Sequence, residues 1–144
     1  MKRVLLLTLT ALLATSQAEA KGLKWMDGPP GLPAGAKFAV VSGNPAKDGM
    51  FTIRIRMPAG YAVAPHQHPT DEKVSVKSGG PLAYGMGDTV NQASAGSLEK
   101  GWHVNLMANM NHWASAAAAT EIEVSAMGPF AITYANPKDD PRSK

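Results

Sequence analysis

His66 and His68 form an H-x-H pair, and Glu72 follows four residues after the second of them. In an extended chain, residues i and i+2 project to one face, so the two imidazoles converge on one point. Pro69, Thr70 and Asp71 then turn the chain. Glu72 opens a new run on the same side as Val74 and Val76, the side expected to face inward. Two imidazoles and a carboxylate on an interior face make a poor core, because a buried carboxylate without a partner is costly. They make good metal ligands. The chain has no cysteine, which excludes thiolate ligands and a cysteine nucleophile and leaves nitrogen, oxygen and at most methionine sulfur for the chemistry. The competing interpretation is a surface H-x-H beside a solvated Glu.

These side chains must be positioned by strands. Phe51, Ile53, Ile55 and Met57 alternate with Thr52, Arg54 and Arg56, the period of a half-buried strand. The alternation returns at Glu72–Lys77, at Trp102–Met107 and at Glu121–Ala126, and Phe130, Ile132 and Tyr134 form a last strand. The 14 Gly and 11 Pro residues punctuate these runs as turns. Gly22–Ala36 reads as an extended Pro/Gly-rich arm, and Asn136–Lys144 as a polar tail. Met57, Tyr84, Met86, Trp102 and Trp113 are candidates to line the interior. His103, Asp71 and Lys73 alternate outward. The expected fold is an all-β antiparallel sandwich or barrel of about eight to ten strands.

The spacing Gly60-(x)5-His66-x-His68-(x)3-Glu72-(x)6-Gly79 resembles the first cupin motif in full. Gly101-(x)5-Met107-x-Asn109-(x)2-His112 resembles the second, with Met107 where the family usually has Pro and Asn109 where it usually has Gly. The run His68–Glu72 (HPTDE) and the ending Gly128–Tyr134 (GPFAITY) are similar to small exported single-domain cupins. The resemblance implies a cupin-type antiparallel β-barrel, a double-stranded β-helix or jelly roll, with a divalent metal held by His66, His68, Glu72 and His112. Three neutral imidazoles and a carboxylate suit Fe, Mn, Ni, Cu or Zn as divalent ions, and suit Ca or Mg poorly. An octahedral ion so held keeps two positions for water or substrate, whereas a tetrahedral zinc would be closed. Neutral imidazoles are required for binding, so metal is expected to leave as pH falls through roughly 6 to 5.

The remaining composition bounds the setting. Met1-Lys2-Arg3, an apolar run over Val4–Ala14 and Ala18-Glu19-Ala20 read as a secretory signal cut after Ala20. The run is too short to cross a bilayer, which needs roughly 20 residues. This divides the chain into signal (1–20), arm (21–36), β-barrel (37–136) and tail (137–144), and predicts a periplasmic or secreted protein. Without Lys2, Arg3 and Glu19 the net charge falls from +3 to +2. No two basic residues are adjacent in the mature chain, so neither nucleic acid nor, once the signal is removed, a membrane is an expected partner. A small-molecule ligand or substrate is, and a homodimer is open, with the arm around Trp25 able to swap. Two functions stand: a metal-dependent enzyme performing oxygenation or isomerisation, and a non-catalytic metal- or ligand-binding protein. The enzyme reading has no obvious second catalytic group among the ionisable residues, since most of the other acids fall in turns or on outer faces. The metal would carry nearly all of the chemistry.

Overall fold

The computed structural model describes residues 22–144; the expected signal segment lies outside them. The strands are β1 (Met26–Asp27), β2 (Lys37–Ser42), β3 (Gly49–Met57), β4 (Tyr61–Gln67), β5 (Glu72–Gly79), β6 (Leu82–Met86), β7 (Gly96–Leu98), β8 (His103–Leu106), β9 (His112–Ala116), β10 (Thr120–Gly128) and β11 (Thr133–Tyr134). They form two antiparallel sheets, one ordered β1-β2-β3-β10-β5-β8 and the other β11-β4-β9-β6-β7. The all-β antiparallel class expected from the alternation is what forms, in the two-sheet jelly-roll arrangement that the resemblance implied.

Central strands keep the predicted faces. Phe51, Ile53, Ile55 and Met57 of β3 are buried, as are Val74 and Val76 of β5 and Ile122, Val124 and Ala126 of β10. The register makes these residues direct neighbours, with Val124 between Ile53 and Val74. Such cross-strand apolar pairs facing a second sheet bury the core at each position of the ladder.

The closed barrel is corrected. The sheets stand face to face, and among the described residues no ladder joins their edges; Val76 of β5 makes one isolated bridge, to Lys100 in the segment between β7 and β8. Edge-strand length explains this. Strands β1 and β11 have two residues each and β7 has three, too few to build a closing ladder. Apolar packing between the sheets does the work that edge hydrogen bonds do in a barrel.

Three further expectations are revised. Trp102 is 66% exposed and Met86 45%: Trp102 precedes β8 instead of opening it, and Met86 ends its strand, so neither lines the interior. Met57, Tyr84 and Trp113 do. The last strand is only Thr133–Tyr134, because Phe130 N–H donates to Pro45 O and draws the preceding residues away from a ladder. The arm and the tail are both tied down. Tyr61 and Tyr134 donate their hydroxyls to Pro33 O and Gly31 O, each at 2.7 Å, which seats Leu32 as a buried floor beneath the core. Arg142 of the tail donates to Ile132 O at 2.9 Å, and Asn136 and Asp140 cap two short 3-10 turns.

Candidate metal centre

His66 comes from the end of β4, His68 from the residue just beyond it, Glu72 from the start of β5 and His112 from the start of β9. Strict alternation from Tyr61 and Val63, both buried, would put His66 on the outside. A one-residue bulge prevents that. Val63 pairs with Ala114, but His66 pairs with His112, so β4 spends three residues where β9 spends two. The extra residue reverses the parity and turns His66 and His68 inward. All four predicted ligands are buried, between 3% and 7% exposed.

The imidazoles converge. One ring nitrogen from each of His66, His68 and His112 lies within 4.8 Å of the others, and the His66 and His112 rings are 4.4 Å apart. Glu72 reaches into the same point, with Oε1 at 3.2 Å from His112 Nε2 and Oε2 at 3.5 Å from His68 Nε2. Each imidazole is held from behind by a backbone carbonyl. Nδ1 of His66 donates to Ala64 O at 2.7 Å, that of His68 to Ala131 O at 2.7 Å and that of His112 to Met110 O at 3.0 Å. A carbonyl only accepts, so Nδ1 carries the proton and the lone pair of each neutral ring is left on Nε2. Fixing the far nitrogen in this way is how proteins orient metal-binding histidines.

The donor set passes a direct test of fit. His112 Nε2 is fully buried without a hydrogen-bond partner. The Glu72 oxygen at 3.2 Å is near it but not aligned for an N–H···O bond, so the lone pair points past the carboxylate into the shared centre. A buried polar atom with no partner is expensive, and a cation at the centre would satisfy it together with Glu72. The electrostatics agree. Burial pushes Glu72 upward, and positive charge at His112 and then at His68 holds the carboxyl below its ordinary range; with those rings neutral, a cation at the centre would supply the same charge. Burial, aided by neighbouring His112 and His68, pushes His66 down to about 3 and keeps it a neutral donor.

The second motif departs from its family pattern in sequence but not in shape. Asn109 has φ 59°, the left-handed conformation for which Gly is the usual residue and Asn the best-tolerated substitute. Its N–H donates to His68 O at 2.8 Å, which ties the loop before His112 to the H-x-H strand. Asp71, expected to face outward, does so and accepts from Ala108 N at 2.7 Å. It therefore braces the same loop, a role its type and position did not announce. Phe130 stacks on His68 with ring centroids 5.0 Å apart. Its apolar character was legible in the sequence, but its place over the site was not. Nor were the three carbonyls, since a backbone acceptor leaves no mark on residue type.

Behind the cluster a cavity of about 70 Å³ runs between the sheets, walled by Val63, Val74, Leu82, Leu98 and Leu106 and floored by Leu32. His103 stays outside, exposed on the far face of β8 beside Lys73, Ser75 and Lys77.

No protein-family model matches the chain, and no curated protein matches it. Solved structures do. The chain is similar to the polyketide cyclase RemF from Streptomyces resistomycificus, at 15% identity and TM-score 0.68 over 99% of this chain and 91% of that one. It is similar to an RmlC-like cupin from Shewanella frigidimarina NCIMB 400, at 15% identity and TM-score 0.57 over 74% and 84%. A third is the DMSP lyase DddQ from Ruegeria pomeroyi DSS-3, at 20% identity and TM-score 0.60 over 78% and 60%. With its two antiparallel sheets and interior histidine cluster, the chain has the fold of the RmlC-like cupins.

Proposed function

We propose that His66, His68, Glu72 and His112 together hold one divalent transition metal, Fe, Mn, Ni, Cu or Zn, and that the chain is an exported metal-dependent enzyme acting on a small molecule by oxygenation or isomerisation. The observation that carries this is the set of backbone-anchored imidazoles whose lone pairs meet beside a buried carboxylate. When bound, such an ion supplies Lewis acidity or a redox centre at coordination positions the protein leaves open. The chain's own residues do the rest. Ala64, Ala131 and Met110 fix the tautomers, Glu72 brings the negative charge that a cation needs, and the apolar walls keep bulk water from the centre. Structural likeness to a cyclase and a lyase supports small-molecule chemistry on this fold, although a fold hosts many reactions.

A second reading, a non-catalytic binding protein, draws on one observation. Apart from the four proposed ligands, the cavity is lined by apolar residues, two tyrosines and a tryptophan, and Tyr61 Oη is committed to Pro33 O. Little is left there to move a proton. Anaerobic loading with Fe(II), followed by O2 and a small-substrate panel, divides the two. Oxygen uptake or product formation supports the enzyme; neither, across several metals, leaves the binder. Export rests on the segment 1–20 and is checked by fractionating cells and sequencing the mature N-terminus, expected at Lys21. A homodimer is checked by light scattering. The arm is folded onto its own chain through β1 and β2, so a dimer by arm exchange would have to release that pairing.

A further inference from the structure

The cavity behind the histidines says which ligands the site accepts. The acidic and basic side chains that line it are His66, His68, Glu72 and His112 alone, gathered in one cluster, and no Lys, Arg or Asp lines it anywhere. Of the aromatic residues that line it, Tyr61 has its hydroxyl committed to Pro33 O. The Tyr84 ring packs on Gly96, where a Cβ would come within 2.6 Å of it, and the Trp113 indole packs on Gly85, within 2.5 Å. Beyond the cluster, Val63, Val74, Leu82, Leu98 and Leu106 form the walls, and Leu32 closes the floor, held by the carbonyl–tyrosine hydrogen bonds on either side of it. At about 70 Å³ the cavity exceeds the roughly 10–15 Å³ that one water needs, so it has room for a compact ligand of several atoms.

Accordingly, and resting on the metal reading of the site, we infer that the ligand class is a small molecule with oxygen donors at one end and an uncharged apolar body, and that acids and polyols of the same length are rejected. The charge of the chelating head faces a cation and is compensated there. A second carboxylate or phosphate deeper in the cavity meets mostly apolar walls with no Lys or Arg among them, so it loses its hydration without a cation of its own in return. Each sugar-like hydroxyl carried inward is left without a partner, which costs roughly tenfold to hundredfold in affinity. Specificity is then set by what the walls lack.

A matched pair of probes tests this on the unmodified protein. Butyrohydroxamic acid and the monohydroxamic acid of succinic acid share a chelating head and chain length, and differ in a methyl against a carboxylate at the far end. The protein is first loaded with Co(II) or Mn(II), uptake is measured by elemental analysis, and each probe is titrated by calorimetry. The expected result is binding of butyrohydroxamate at least about 30-fold tighter than its acidic partner, a preference absent from the free metal ion in solution. Equal affinities, a reversed preference, or binding of neither probe to metal-loaded protein would overturn the inference and leave the metal site standing. Failure to take up metal would overturn the site itself, and the inference with it.

Discussion

Two carboxylate clusters sit on opposite faces of the same six-stranded sheet and solve burial in opposite ways. On the outer face, Glu121 accepts from Arg54 Nη1 and Arg56 Nε, each at 2.9 Å, and Glu123 accepts from Arg54 Nε at 2.7 Å, with Lys77 Nζ 3.6 Å away. Every negative charge there faces a permanent cation, and Trp25 lies 3.7 Å from the Arg56 guanidinium to cover it. On the inner face, Glu72 is surrounded by imidazoles whose protons point away from it, toward backbone carbonyls. Positive charge overcomes burial at both carboxyls, from Arg56 and Arg54 at Glu121 and from His112 and His68, when those rings carry it, at Glu72. The outer cluster is complete as built. The inner one leaves His112 Nε2 buried without a partner, and that difference is why we propose a cation there.

The comparison can be broken most severely at the inner cluster. His112→Ala should weaken divalent metal binding by more than about 100-fold, beyond what loss of a mere supporting contact costs, while leaving the β-rich circular dichroism unchanged. Undiminished affinity in the folded variant would place the metal elsewhere. At the outer cluster, Arg54→Ala should leave metal stoichiometry untouched. It should cost stability by about 2 kcal/mol, below the range for fully buried pairs because Glu123 is partly solvated; urea denaturation reads the value.

The pH response should differ too. The folded pKa of Glu121 lies below its unfolded value of about 4.3, so the folded state binds fewer protons in that range. Its contribution is fully present above about pH 5 and fades as pH falls through the depressed folded value. The stability gap between the native protein and Arg54→Ala should therefore narrow in acid. A gap constant down to pH 3 would mean that the pairs contribute packing and not charge.

The smallest effect belongs to the loop that delivers His112. Asn109→Ala should destabilise by about 1 kcal/mol through its left-handed backbone, whereas Asn109→Gly should be neutral or slightly favourable. Equal costs would show that the Asn side chain matters more than the conformation.

The sequence was most legible where a period or spacing encodes it. Alternation placed the interior residues of β3, β5 and β10, and the motif spacing named four residues that the fold brings together from three strands. It was least legible where geometry depends on a partner with no signature. The bulge that turns His66 inward arises from the pairing of β4 with β9, and its one mark in the sequence is Pro65, which a central strand tolerates at a bulge. The barrel failed to close because its edge strands are short, and strand length is decided by the neighbours available. Trp102 looked interior by alternation, yet β8 begins one residue later, which leaves it outside the ladder whose faces the pattern describes. Asn109 shows the reverse case, a motif departure that keeps the backbone conformation.

The central claim is that the inner cluster is a cation site, and equilibrium dialysis of natively folded protein tests it most directly. Metal-stripped protein is dialysed against Mn(II), Co(II) and Zn(II) in turn, and bound metal is counted by elemental analysis beside the His66→Ala and His112→Ala variants. One ion per chain in the native protein, lost from both folded variants, is the predicted result. A folded native chain that takes up none of the three, or variants that retain a full equivalent, would contradict it.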